Sequence, residues 1–232
     1  MTSTIHARHQ IYGAALARIH AQSYGDTFAP AWPWLAKQIL AASDAPKLLD
    51  LGCGDGRWLA YAKSFNIDVQ GFDSSPFFVE MATKSGLPVK LENASSPNLP
   101  DGLSAVTALG EVLAYKPAAL APAILNIGRV LPSGGLLFFD LPGPDVAESD
   151  HDRGGDGWRM SVQVRKSGKT LFRKIQIETH EGIEQELHQQ LLFTPEEVIE
   201  IIEGFGLHGE ILDSYGPCAL LPGRFAIRGV KP

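Results

Sequence analysis

Apolar and polar positions alternate with two different periods along this chain. Residues 5–22 place Ile5, Ile11, Tyr12, Ala15, Leu16 and Ile19 near helical spacing. Residues 30–42 do the same with Trp34, Leu35, Ile39 and Leu40, and Pro33 falls in the first turn. From Lys47 onward, short apolar runs read as strands over 47–51, 68–73, 88–92, 105–109 and 135–141. Helical patterns over 57–65, 75–85 and 118–130 separate them. Strand–helix alternation of this kind predicts parallel strands joined by right-handed crossovers. The unbroken run Leu136-Leu137-Phe138-Phe139 fits a strand covered on both faces.

After Pro142 the pattern changes. Residues 141–157 are rich in Gly, Pro and Asp and read as a long loop. Trp158, Met160, Val162 and Val164 then alternate with Arg159, Ser161, Gln163 and Arg165, and Ser167-Gly168 supplies a hairpin turn. Strands over 172–180 and 183–193 complete an expected three-stranded antiparallel ribbon with one polar face. Thr194-Pro195-Glu196-Glu197 joins an N-cap, a first-position proline and a capping-box glutamate, which starts a helix that ends at Gly204 or Gly206. Residues 207–212 and 224–230 suit a closing antiparallel pair. The fold class expected is α/β, a doubly wound, mostly parallel seven-stranded sheet. Residues 1–45 would form a helical lid, 46–142 the α/β core, 143–193 the antiparallel insert, and 194–232 the closing helix and strands.

Composition narrows this picture only slightly. The 232 residues are 44% hydrophobic and 20% charged, with a net charge of -6. That suits one α/β domain with additions. No basic block occurs, so nucleic acid is disfavoured as a partner. No apolar run is long enough to span a bilayer, and the polar start lacks the apolar stretch of a secretory signal. Cys53 and Cys218 give no disulfide framework, and a cytoplasmic location is expected. The histidines lack paired ligand spacing, so no metal site is expected.

The candidate chemistry lies in Asp50-Leu51-Gly52-Cys53-Gly54-Asp55-Gly56, which follows a strand and opens a helix. Glycines there let the backbone turn sharply and approach a ligand, and the helix start adds unpaired N–H groups. A dinucleotide-binding turn needs its third glycine at position 57, which is Arg57 here. Asp50 would attract an α-ammonium group and repel a pyrophosphate. Asp73 closes the next strand, where an acid can accept both hydroxyls of a ribose. A nucleoside carrying an amino acid satisfies all three features.

These residues resemble the first motif of class I S-adenosylmethionine-dependent methyltransferases. Gly71-Phe72-Asp73-Ser74-Ser75 resembles the second motif, and Leu91-Glu92-Asn93-Ala94 the third, with Asn93 replacing the usual Asp. Leu131-Pro132-Ser133-Gly134-Gly135 is similar to the turn before the fifth strand. The resemblance implies S-adenosylmethionine as cofactor and methyl transfer to an acceptor. Asp50, Gly52, Gly54 and Gly56 would meet its methionine part. Asp73 would take the ribose, Asn93 and Ala94 the adenine, and Ser74 and Leu109 would flank the nucleoside. The Asn93 amide oxygen can accept from the adenine amino group.

The segment from Ile19 to Phe28 resembles the lid of small-molecule methyltransferases. A small-molecule acceptor is therefore expected. The candidates for general base are His20, Glu111, His151 and His188, and Tyr24 and Tyr115 are candidates for contact with the acceptor. The ribbon would roof a compact pocket or form a homodimer contact. A non-catalytic S-adenosylmethionine sensor or scaffold is the alternative that the same motifs allow.

Overall fold

The computed structural model describes residues 11–116 and 120–232. Its main sheet has seven strands: β1 (Lys47–Leu51), β2 (Asp68–Asp73), β3 (Val89–Leu91), β4 (Ala105–Ala108), β5 (Leu136–Pro142), and two later strands, His208–Leu212 and Arg224–Val230. The spatial order from one edge is β3, β2, β1, β4, β5, Arg224–Val230 and His208–Leu212. The first five strands are parallel, and Arg224–Val230 runs antiparallel to both of its neighbours. Helices α1 (Ala14–Ser23), α2 (Trp32–Ala42), α3 (Arg57–Lys63), α4 (Pro76–Lys84), α5 (Leu120–Val130) and α6 (Pro195–Gly204) complete the core and lid.

Both faces of the sheet are buried, as its sequence requires. Every residue of β5 is buried. Leu49, Leu137 and Phe139 pack into a cluster with Ile124 and Ile202. Leu48 and Phe138 join Leu35, Ile39 and Leu59 in a second cluster on the other face. The capping box forms as expected, with the Thr194 side chain bonded to the Glu197 N–H and the Glu197 carboxylate to the Thr194 N–H.

The insert departs from expectation. It is a four-stranded antiparallel sheet: β6 (Ser149–Gly155), β7 (Trp158–Ser167), β8 (Thr170–Thr179) and β9 (Gly182–Leu191). The first of these strands lies where a loop was expected. All seven of its residues are exposed, so it carries no apolar alternation and is held by backbone pairing and the surface ion pair of Asp150 with Arg165. After α6 follow β10 (His208–Leu212), β11 (Ser214–Tyr215), β12 (Cys218–Ala219) and β13 (Arg224–Val230), of which the short β11–β12 pair was not expected. The first expected helix begins at Ala14 within the described residues, and Ile5 lies outside them. Likewise Ala118 lies outside, and α5 is described from Leu120.

The inner face of the insert packs on the lid. Met160, Val162, Val164, Ile175 and Ile177 form a third buried cluster with Leu16 and Ile19 of α1. The insert is also pinned to the loop after β4. Tyr115 bridges Gln190, and the Lys116 N–H bonds the Gln189 carbonyl at 2.9 Å.

Candidate active site

One large cavity, about 910 Å³, opens at the carboxyl ends of the parallel strands and runs under the insert. Ligands bind at this edge in open α/β sheets. Of the residues singled out in the sequence, Asp50, Gly52, Gly54, Asp73, Ser74, Asn93, Ala94 and Leu109 line one half. His20, Tyr24, Glu111, Tyr115, His151 and His188 line the rest. Gly56 does not line the cavity. Its φ is +83°, and a Cβ there would lie 2.4 Å from the Leu87 side chain. Gly56 therefore serves the helix entry and its packing against Leu87.

The two remaining glycines differ from each other. A Cβ at Gly52 would lie 2.5 Å from Val112, whereas one at Gly54 would meet nothing within 4 Å. Both have positive φ, +68° and +56°. The turn is locked by Asp73, whose Oδ2 accepts the Gly54 N–H at 2.9 Å and whose Oδ1 accepts the Ser75 N–H at 2.8 Å. Burial pushes the Asp73 carboxyl up, and the backbone hydrogen bonds pull against it. Asp50 is buried too. It accepts from the Thr107 hydroxyl at 2.6 Å, and Thr107 accepts from the Trp58 indole at 3.1 Å. Burial pushes the Asp50 carboxyl to about 7.

Asn93 is arranged differently from expectation. Its Oδ1 accepts both the Ser95 N–H, at 3.0 Å, and the Ser95 hydroxyl, at 2.9 Å. The oxygen assigned to an adenine amino group is thus already engaged in a local turn, and the carboxamide NH₂ is the part left free for a ligand.

Across the cavity, polar groups from distant parts of the chain converge. The polar face of β9 is solvated only at its start: Glu184 is exposed, but His188 is 2% exposed and Gln190 1%. The His188 Nε2 meets Glu186 Oε2 at 2.7 Å, and its Nδ1 lies 3.4 Å from the Tyr115 hydroxyl. That hydroxyl lies 3.3 Å from the Tyr12 hydroxyl. Glu186 also accepts the N–H groups of Tyr12 and Gly13, at 2.7 and 2.8 Å, at the start of α1. The carboxylate therefore fixes both the lid and the histidine ring. His20 packs its ring against Tyr12, Tyr24 and Phe78, and burial pushes its pKa down.

Glu111 sits at the base of this half with φ +63°. Its N–H and that of Gly110 both bond the buried Asp140 carboxylate, at 2.9 and 2.8 Å, which holds this unusual backbone. Its side chain receives Arg173 Nη2 at 2.8 Å and Arg224 Nε at 2.7 Å. Burial pushes the Glu111 carboxyl up, but the two guanidiniums outweigh it and hold the group below its ordinary range.

Sequence reading missed Tyr12 as a polar contact, and also Glu186, Arg173 and Arg224. Arg173 did leave a signal. It occupies an inward position of β8 between Leu171 and Ile175, where a charge interrupts an apolar face. Among the described residues, no three His, Cys, Asp or Glu side chains are grouped to hold a metal. No helix among them is long and apolar enough to cross a membrane.

Comparisons with known proteins agree with this architecture. The chain resembles the sugar N-methyltransferase KedS8 from Streptoalloteichus sp at 21% identity and TM-score 0.77, covering 100% of this chain and 98% of that one. It resembles the CcbJ methyltransferase from Streptomyces caelestis at 16% identity and TM-score 0.78, covering 97% and 100%. The amino pentose methyltransferase CalS10 from Micromonospora echinaspora, solved with its cofactor SAM bound, matches at 19% identity and TM-score 0.72, covering 98% and 100%. No curated protein sequence matches significantly. At these identities the structures establish the fold. Residues 16–190 match the family described as "Methyltransferase domain", which is most of the chain, and the protein belongs to that methyltransferase family.

Proposed function

We propose that this protein transfers a methyl group from S-adenosylmethionine to a small-molecule acceptor. The observation that carries this reading is the single cavity, which joins the Gly54–Asp73 turn to a buried group of hydroxyls and imidazoles.

The cofactor half suits the donor. Gly54 lines the cavity yet leaves open space where a Cβ would project, so its backbone can be approached closely. Asp73 keeps lone pairs for two ribose hydroxyls beyond its backbone bonds. Asp50 and the Gly52–Gly54 backbone would hold the methionine part, Ser74 and Leu109 would flank the nucleoside, and Asn93 and Ala94 would meet adenine. Bound there, S-adenosylmethionine supplies a methyl group activated by a sulfonium.

The chain's own contribution is alignment, exclusion of water and removal of a proton. The lid residues Tyr12, His20 and Tyr24 and the inner face of the insert close the acceptor half. His188 is the favoured base. With Nε2 donating to Glu186, its Nδ1 is left as an acceptor and takes a proton by way of the Tyr115 hydroxyl. His20, kept neutral by burial, is the second base candidate. Glu111 is a weak base because both its oxygens are held by guanidiniums, and it acts instead by positioning Arg173 and Arg224. Tyr24 and Tyr115 contact the acceptor, and His151, on the exposed edge strand, is left without a role.

The test is incubation of the protein with methyl-labelled S-adenosylmethionine and a metabolite extract. Labelled product and S-adenosylhomocysteine are expected, with turnover about a hundredfold slower in His188→Gln and cofactor affinity unchanged. Tight cofactor binding without any turnover in the wild type would establish the sensor reading instead.

A further inference from the structure

The two halves of the cavity differ in charge. Asp50, Asp55, Asp73 and Glu92 line the cofactor half together with Arg57, which pairs with Asp55 and Asp26. Lys116, Arg153, Arg173 and Arg224 line the other half, against the carboxylates of Glu111 and Asp145. Two of these cations are largely buried. The side chains of Arg173 and Arg224 are 16% and 18% exposed, and they share one carboxylate, that of Glu111. Burial of a charge without a partner is costly, so the second guanidinium calls for another anion.

The neighbouring acids do not supply it. Glu186 is committed to His188 and to the lid N–H groups, and Asp140 to the Gly110 and Glu111 N–H groups. Among the described residues, Arg173 forms an ion pair with Glu111 alone. A guanidinium offers five N–H donors in a planar fork, and Arg173 directs one of them to Glu111. Among the described residues its guanidinium makes no other hydrogen bond, none of its nitrogens is buried without a partner, and Arg173 lines the cavity. Arg173 is also the direct cross-strand partner of His188 on the inner face of the insert. An anion on this fork would therefore lie beside the favoured base. Above it, Met160, Val162, Val164 and Ile175 form an apolar roof. The sulfonium of the donor adds one more positive charge to the same cavity.

We propose that the methyl acceptor carries a carboxylate or phosphate group on an apolar body, and that this anion docks on the free fork of Arg173, which Glu111 holds in place. Such docking is bidentate, so it orients the acceptor as well as holding it. It also supplies the negative charge that the buried arginines and the sulfonium lack. The proposal rests on the methyltransferase reading for the identity of the ligand as acceptor, but the anion site itself can be tested without turnover.

Protein saturated with S-adenosylhomocysteine is titrated with benzoate, phenyl phosphate and the neutral isostere benzamide. At least one anion is expected to bind tenfold or more tighter than benzamide, and which one does so separates a carboxylate from a phosphate acceptor. Arg173→Gln should bring that anion down to the benzamide level, and Arg173→Lys should retain part of the preference. Glu111→Gln should act in the opposite direction. It removes the competing carboxylate, so anion binding tightens and the anion raises the melting temperature of this variant more than that of the wild type. A purely structural ion pair predicts no such gain. If Arg173→Gln does not fold, the triple variant Glu111→Gln/Arg173→Gln/Arg224→Gln removes the whole ion cluster and should show no anion preference. Anions that bind no better than benzamide, or a preference that survives loss of Arg173, would overturn the proposal. Anion binding at Arg173 together with no methyl transfer to any acceptor would instead sink the methyltransferase reading and leave the site standing.

Discussion

The cofactor half and the acceptor half of the cavity are built in different ways. The first comes from the ends of adjacent parallel strands, with Asp50 through Gly54 in one turn and Asp73 beside it at the end of β2. Backbone N–H groups and carboxylates compose it. The second is assembled from the lid, the loop after β4, the insert and β13. Its bonds join residues far apart in sequence, such as Arg224 to Glu111 and Glu186 to Tyr12. Buried ion pairs and hydroxyls compose it. The difference teaches that a local turn can specify a nucleoside, whereas an acceptor site depends on the whole tertiary structure. Perturbation should therefore affect binding in the first half and stability in the second.

The largest effect expected is that of Glu111→Ala. This change leaves two buried guanidiniums without their shared partner, and a loss of about 3 kcal/mol is expected from denaturant unfolding. A loss well below 1 kcal/mol would mean that water already solvates the cluster, and the contrast between the halves would fail. Asp73→Ala comes second. It should weaken cofactor binding at least tenfold, because two ribose hydroxyls and the Gly54 and Ser75 N–H groups lose their acceptors. Unchanged affinity by calorimetry would remove Asp73 from the site.

These two residues also mark how far the sequence could be read. Asp73 follows a turn whose glycine spacing, taken with Asp50, argues for an amino-acid nucleoside over a dinucleotide, and both signals are local in the sequence. Glu111 was visible as an acid at the sheet edge, but its partners lie on β8 and β13, and nothing local points to them. The middle of the seven-stranded sheet was legible because β1, β4 and β5 are buried on both faces and are therefore largely apolar. The strand β6 was not, since residues 149–155 are all exposed and bury no apolar face. The burial of His188 was hidden for the opposite reason. The polar face of β9 looked solvated, and only the packing of the lid against it takes the histidine out of water. Asn93 lines the cavity, but its oxygen is engaged by Ser95, two residues away, a local turn that its spacing did not announce.

A third perturbation, of pH, sharpens the cofactor side. The Asp50 carboxyl lies near 7, pushed there by burial and opposed by the Thr107 hydroxyl, while Asp73 nearby raises it further. An α-ammonium group binds the ionised form, so affinity should rise with pH as Asp50 loses its proton. For one group titrating near 7, the ionised fraction grows about eightfold between pH 6 and pH 7.5. Cofactor affinity should follow that rise in the wild type. In Asp50→Asn, which keeps an acceptor for Thr107 but has no charge, it should be weak and flat. A pH-dependent rise that persists in this variant would assign the titration to another group.

The smallest effect is expected from a pair with the same chemistry in a different setting. Arg165 lies on β7, in the same inserted sheet as Arg173, and it binds Asp150 at 2.8 Å, the distance at which Arg173 binds Glu111. The Arg165 and Asp150 side chains are 49% and 59% exposed, against 16% and 12% for Arg173 and Glu111. In water the Coulomb attraction is screened, and ordering two long side chains offsets what remains. Arg165→Ala should therefore leave the melting temperature and the anion preference of the protein unchanged. Equal destabilisation by Arg165→Ala and Arg173→Gln would show that proximity of opposite charges, independent of burial, sets the strength of these pairs. The acceptor half would then have no special claim on an anionic ligand.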